Sequence, residues 1–501
     1  MSWSTFETFG LIAGILFLLY YYTTSKLQFW ERLGVKGPKP IPFFGNFKNV
    51  LLGKSSIMDV FENAYYEFKN ERMCGVYAEH MPILILNDPD LIKDVLIRDF
   101  PTFGDRGIRP VKVEPLSDHL FRLEAKRWKP LRSRLSPVFT TGKMKEMFHL
   151  LLECSDHFEK YLDKVIAKGE PIECREISAK FTTDVIGSCA FGIEMNALAD
   201  ENSEFRNIGR KVFEANFKSY IKDRLIDYPF LFNIVGRFII DYDISNFFTK
   251  VIKEAIDYRI KNNFYRHDFV DTLVDLKKHP EKLGLEEVDD MYLTAQCFVF
   301  YAAGFETSAI TISNTLYELA LNQSVQEKLR NEINEVLRET DGKITYDSIK
   351  KMTYLEACML ETLRKYPAAL WLSRVALTNY TFSGTKITIP KEQQVVVPCY
   401  AIHNDPELFP NPKVYDPERF SEENKKSRHP MLFLPFGDGP RNCIGARFAK
   451  QQTKMAIIKV LSKFKVEPCE KTSKEYEFHK RAFFVIQPKH GIYVKMTKLE
   501  K

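Results

Sequence analysis

No C-x-x-C pair and no zinc-type spacing of cysteine with histidine occurs in the 501 residues. The nine cysteines (74, 154, 174, 189, 297, 358, 399, 443, 469) are odd in number and widely scattered, which indicates neither a zinc site nor a disulfide framework. Free thiols of this kind suit a reducing compartment. An excess of one charge is also missing: 72 Lys+Arg against 66 Asp+Glu leave a net +6. The positives are dispersed, with no basic block interleaved with aromatics, so nucleic-acid binding is not expected. Internal repeats and low-complexity tracts are absent.

What the chain holds in quantity is apolar residues, 45% of the total with 40 Phe, enough for a large core. Its length suits two or three domains or one large enzyme unit. Phe9–Tyr22 is an unbroken apolar run, shorter than the ~20 residues of a membrane span. Thr23 to Ser25 and Leu27 to Trp30 extend it enough to cross, with aromatics at the interface. The alternative is a cleaved signal peptide, but no small-x-small site follows and Glu7 replaces the usual positive charge. Lys26, Arg32, Lys36 and Lys39 all follow the run, which puts the body of the protein on the cytosolic side and the N-terminus in the lumen. Residues 1–25 are thus expected to be a membrane anchor, 26–45 a proline-rich linker stiffened by Gly37–Pro42, and 46–501 the catalytic domain.

Strand signals lie at Val76–Tyr77 and Ile83–Leu86, with a helix over Pro89–Arg98 and a loop over 101–117. Helical patterns dominate from Leu120 to about residue 278. Tyr228–Ile240 is unusually apolar and reads either as core or as a second membrane-dipping surface. Leu285–Leu321 reads as one long helix whose middle, Tyr301-Ala-Ala-Gly-Phe-Glu-Thr-Ser308, breaks local rules. A mid-helix glycine costs about 1 kcal/mol, and a buried acid costs more unless it is partnered. Such conflicts mark functional sites; the plainer alternative is a glycine for close helix packing. Glu361 and Arg364 share a helix face at i, i+3. Strand patterns recur at Lys386–Ile389, Gln394–Val397, Ala482–Ile486 and Gly491–Lys495. Between them, Phe436-Gly-Asp-Gly-Pro-Arg-Asn-Cys-Ile-Gly445 precedes a helical run over Ala446–Phe464. A thiolate there would sit near a helix N-terminus, whose unpaired N–H groups favour negative charge. The plain alternative is a structural cysteine in a glycine-rich turn.

These motifs together resemble the cytochrome P-450 family over essentially the whole chain. The loop is similar to F-x-x-G-x-R-x-C-x-G at Phe436, Gly439, Arg441, Cys443 and Gly445. Ala303-Gly-Phe-Glu-Thr307 is similar to the oxygen-activating A-G-x-[DE]-T. Glu361–Arg364, Arg419 in Pro417–Phe420, the W-x-x-x-R of Trp128–Arg132, and Arg374 in Leu372–Val375 follow the same pattern. Phe181–Ile193 and Gly445–Ala449 resemble the animal microsomal clan shared with vertebrate drug-oxidising enzymes, and within it most nearly the insect detoxification family.

The resemblance implies a mainly α fold with small β-sheets (α+β), with haem between the long central helix and the cysteine loop and its following helix. Cys443 would be the axial iron ligand of haem b, iron protoporphyrin IX. Trp128, Arg132, Arg374 and Arg441 would contact the propionates, which a guanidinium fork suits, while Phe436, Gly439 and Gly445 complete the loop. Ala303, Gly304, Glu306 and Thr307 would serve proton delivery. Glu361, Arg364 and Arg419 would form a structural network. The implied activity is insertion of one oxygen atom from O2 into a lipophilic small molecule. Electrons would come from NADPH through a flavin reductase, with a cytochrome b-type protein as a second donor, at the endoplasmic reticulum membrane.

Two rival classes are a haem–thiolate isomerase or dehydratase, which often lacks the acid–threonine pair, and a non-catalytic haem carrier or sensor, which would have little need of it. Substrate lining is expected from 101–125, 203–245, Phe298, Phe300, Ala303, Ala368–Leu372 and Phe483–Phe484. Lys126, Arg127, Lys129, Arg447 and Lys450 are candidates for a basic patch facing an acidic reductase.

Overall fold

The computed structural model describes residues 5–214, 217–225, 228–481 and 485–500. It is mainly helical with small sheets, the α+β class expected. The chain divides into two compact units, neither continuous in sequence. The first comprises Met1–Gly107, Ala369–Pro410 and His429–Asn442, and the second Ile108–Ala368, Asn411–Arg428 and Cys443–Lys501.

The first unit is built on a four-stranded sheet. Met73–Ala78 pairs antiparallel with Met81–Leu86, which pairs parallel with Gln394–Val397, which pairs antiparallel with Leu372–Val375. The parallel pairing joins segments some 300 residues apart. Both central strands are buried on both faces, which explains their near-continuous Val, Ile and Leu. A helix, Thr5–Ser25, precedes the sheet, and its residues 7–22 are all exposed. With the turns that follow, it forms a span from Glu7 to Arg32 long and apolar enough to cross a membrane. Near its end the hydroxyls of Thr23 and Thr24 donate to the carbonyls of Leu19 (2.9 Å) and Tyr20 (2.7 Å), which satisfies them within the helix. The stretch 26–45, expected as a linker, contains core residues: Trp30 and Val35 are buried. Trp30 Nε1 donates to Val76 O (3.0 Å), and its ring lies where a Cβ on Gly75 would stand, 2.3 Å from Cγ.

In the second unit the central helix runs Asp290–Leu321, 32 residues. It starts five residues later than expected because Asp289 caps it, accepting from Tyr292 N–H at 2.6 Å. It packs on the helices Cys174–Ile186, Tyr242–Asn262 and Ala446–Leu461. The last of these stops short of Phe464, where the strand Phe464–Glu467 begins. That strand pairs with Tyr493–Lys498, which also pairs with Ile172–Glu173. Of the strand expected over Ala482–Ile486, residues 482–484 lie outside the described residues, as do Phe483 and Phe484 of the expected lining. The strand expected from Lys386 shrinks to Thr388–Ile389.

Candidate functional site

Cys443 is the one exposed cysteine of the nine; seven are buried and Cys469 is half-buried. Burial pushes the thiols of Cys74, Cys154 and Cys399 up to about 12. At neutral pH these are inert apolar groups. Cys443 precedes Gly445, the N-cap of the helix Ala446–Leu461, so a thiolate there lies beside unsatisfied N–H groups and the positive helix end. That helix is anchored on the rule-breaking middle of the central helix. Gln452 Nε2, wholly buried, donates to Gly304 O (3.0 Å) and Ser308 Oγ (2.6 Å). Nothing in the sequence marked Gln452, which sits among ordinary helix formers.

The central helix is buried along most of its length, but Ala303 is exposed and Val299, Gly304 and Thr307 are half-exposed. Val299, Ala303 and Thr307 are spaced i, i+4, i+8 and form one uncovered stripe. Thr307 Oγ1 donates to Ala303 O (2.8 Å) along it. Glu306, one residue away, faces elsewhere, since neighbours on a helix do not share a face. It is 2% exposed and held by Arg175, whose Nε donates to Oε1 at 2.9 Å and whose Nη2 reaches the same oxygen. The acid and the hydroxyl are thus adjacent in sequence and separate in space. Gly304 also has a packing role: a Cβ there would come 2.7 Å from Ile186 Cδ1. Close helix packing and the motif thus coincide at this glycine. Phe298 is half-buried, whereas Phe300, two residues on, turns into the core and stacks on Phe139 at 5.4 Å. Phe300 is therefore corrected from lining to packing.

In the second unit Trp128 is buried and Arg132 half-buried. Burial lowers the Arg132 pKa, and the nearby Cys443 charge opposes that shift. In the first unit Arg374 is buried and Arg441 almost wholly so. Burial drives the Arg374 pKa down to about 10, Cys399 opposing it. Its Nη1 donates to Ser373 O (2.8 Å), while its Nε has no hydrogen-bond partner among the described residues. A guanidinium so buried calls for an anion. Arg441 lies 3.8 Å from Asp105, and its carbonyl accepts from Arg106 Nη2 (2.9 Å). Gly439 needs its φ of +72°, and a Cβ there would meet Leu96 O at 1.9 Å. Phe436 is half-buried. In the first unit the buried Arg374 suits a carboxylate, and in the second the exposed Cys443 at a helix start suits a metal as its thiolate.

The expected network forms within the second unit. Arg364 grips Glu361 with Nε (2.8 Å) and Nη2 (2.8 Å), both residues fully buried. Nη2 also donates to Pro412 O (2.7 Å), Asp416 N–H donates to Glu361 (3.1 Å), and Arg419 Nε stands 3.5 Å from Glu361. The basic patch is less basic than expected. Arg127 is bound by Asp118 at 2.8 and 2.6 Å, and Lys450 by Glu356 at 2.8 Å. Lys126, Lys129 and Arg447 are exposed.

A family profile described as cytochrome P-450 matches residues 35–496. The chain is 39% identical to cytochrome P-450 6B1 of Papilio polyxenes, covering 98% of this chain and 99% of that one. It is 39% identical to cytochrome P-450 6a2 of Drosophila melanogaster at the same coverage. With cytochrome P-450 6k1 of Blattella germanica it shares 38% over 94% of this chain and 93% of the relative.

Proposed function

Because this chain belongs to the cytochrome P-450 family, haem-dependent monooxygenases that hold haem b through a cysteine thiolate, we propose that Cys443 is that ligand here. We propose further that the protein oxidises lipophilic small molecules, xenobiotics in the first place, with electrons from NADPH through a flavin reductase. The observation that carries this reading is the pairing of an exposed Cys443 with Gln452, which ties the following helix to Gly304 and Ser308. When bound, haem supplies the oxygen and redox chemistry. The chain's own residues do the rest. By the family's pattern Cys443 would hold the iron as a thiolate. Trp128, Arg132, Arg374 and Arg441 would hold the propionates, and an anion there would answer the burial of Arg374. Thr307 holds a proton at Oγ1 on the uncovered stripe. Glu306, buried and fixed by Arg175, precedes it by one residue in the chain.

The apolar helix Thr5–Ser25 supports anchoring in the endoplasmic reticulum membrane with the two units on the cytosolic face. The helix Pro229–Ile239 supports a second contact. Phe230, Ile234 and Phe238 form an exposed stripe at i, i+4, i+8, while Phe232 is buried against Val111 and Ile240. A test of the ligand is Cys443→Ser. An alcohol is a far poorer donor than a thiolate, so the reduced variant with CO should lose the red-shifted Soret band of a thiolate-ligated haem. A red-shifted band that persists removes Cys443 from the role.

A further inference from the structure

We propose that the turn Ile41–Gly45 is a lipid-interface wedge, a rigid and strained loop that seats Phe43 and Phe44 in the headgroup layer. It does so beside the end of the helix Thr5–Ser25, and the proposal rests on reading that helix as a membrane anchor. Ile41 N–H donates to Gly45 O (2.8 Å), Gly45 N–H to Ile41 O (2.8 Å), and Phe44 N–H to Ile41 O (3.2 Å). The last bond makes Ile41–Phe44 a β-turn with Pro42 and Phe43 at its centre. Pro42 suits the first central position. Phe43 occupies the second with φ +67°, the left-handed conformation that glycine normally supplies there. An aromatic residue in that region is strained.

The protein gains little packing in return. Phe43 is 42% exposed, Phe44 38% and Ile41 44%. Strain maintained for the sake of exposed apolar side chains points to a role outside the fold. The turn is also held firmly in place. A Cβ on Gly45 would lie 2.3 Å from Tyr77 O. Asn46 N–H donates to Tyr77 O (2.8 Å), and Asn46 Oδ1 accepts from Tyr77 N–H (2.8 Å). The loop is thus clamped to the sheet rather than free to fold inward.

The occupant is identified by what the turn adjoins. The Phe43 ring stands 6.1 Å from that of Tyr20, on the anchor helix. Tyr20, Tyr21 and Tyr22 are all exposed at the C-terminal end of that helix, the level at which aromatic belts sit in a bilayer. The apolar face of the turn therefore continues the surface of the anchor at interface depth. Lys39 and Lys48, both exposed, flank it where anionic headgroups attract positive charge. Aromatic rings are suited to this layer because it is neither dry nor fully aqueous.

The test uses the full-length, haem-loaded chain in vesicles of phosphatidylcholine and phosphatidylserine. Phe43→Trp adds emission over the four native tryptophans. Lipids brominated in the upper acyl chain should remove most of the added emission, and aqueous acrylamide should leave it. Quenching by acrylamide alone overturns the wedge, and protection from both quenchers overturns the choice of lipid in favour of a protein contact. Phe44→Trp gives the same reading if position 43 does not accept an indole. Flotation of the same sample separates the two ideas: protein that does not float defeats the anchor reading, and floating protein with a water-quenched position 43 defeats the wedge alone. Phe43→Gly supplies a control, since it relieves the strain. Its thermal midpoint in detergent should be unchanged or higher, and a fall would show that the ring supports the fold, against the proposal.

Discussion

Glu306 is tolerated in the middle of an apolar helix because Arg175 reaches it from the start of a neighbouring helix. Burial works against the Arg175 charge, yet its pKa is raised because Glu306 and Glu173 oppose that effect. Removing the guanidinium would leave a carboxylate 2% exposed without its counter-charge. Arg175→Met is therefore expected to lower the unfolding free energy by about 3 kcal/mol, the low end for breaking a buried pair because Arg175 partly reaches solvent. A denaturant titration reads this, and Glu306→Gln in the same chain should restore most of the loss. No loss in the single variant would mean that water already solvates Glu306. The need for a partner was legible from the motif, since a buried acid without one is costly. Its identity was not, because Arg175 lies 131 residues away on another helix.

At the scale of elements, a comparable ion cluster ties the segment before Leu120 to the helix Phe217–Leu225. Glu114 accepts from Arg122 Nη1 (2.7 Å) and pairs with Lys222 Nζ (2.5 Å), its own side chain 14% exposed. Burial works to raise the Glu114 carboxyl, but the two cations overcome it and hold it at about 2 against an ordinary 4.5. The folded pKa is depressed, so the stabilisation is present above pH 4.5 and is lost as pH falls towards 2. A difference of about 2.5 units corresponds to about 3 kcal/mol. Urea unfolding across that window should show parent stability falling more steeply than that of Glu114→Gln. Equal slopes would mean that the cluster is already solvated. The segments concerned are ones expected to line the substrate path, so acidification towards pH 2 should loosen their attachment.

For the whole molecule, the proposed reductase-facing patch is narrower than its five candidate cations suggested. Asp118 and Glu356 neutralise Arg127 and Lys450, which leaves Lys126, Lys129 and Arg447 as the exposed cations, the first two on the helix Ala125–Leu135. Reversing Lys450 would also set a negative charge against Glu356, so Lys126→Glu with Lys129→Glu is the cleaner pair. Steering charges act mainly on encounter rate and are screened over about 10 Å at 0.1 M salt. The double variant should slow NADPH-driven turnover several-fold at low salt, less at high salt, and leave peroxide-driven turnover near parent level. A parallel fall in both would place the damage at the haem pocket. Covalent spacing by itself determined a good deal of this protein. Glu361 and Arg364 had to share a helix face, Cys443 had to stand before a helix, and the apolar run near the N-terminus had to form a helix long enough to cross a membrane, because helical period and residue chemistry are local properties. Tertiary structure alone decided that Arg175 answers Glu306, that Gln452 joins the cysteine helix to Gly304 and Ser308, that Phe300 packs inward, and that Phe43 is held left-handed beside Tyr20. Each of those depends on which distant segment arrives opposite, and no pattern of period two or 3.6 encodes that.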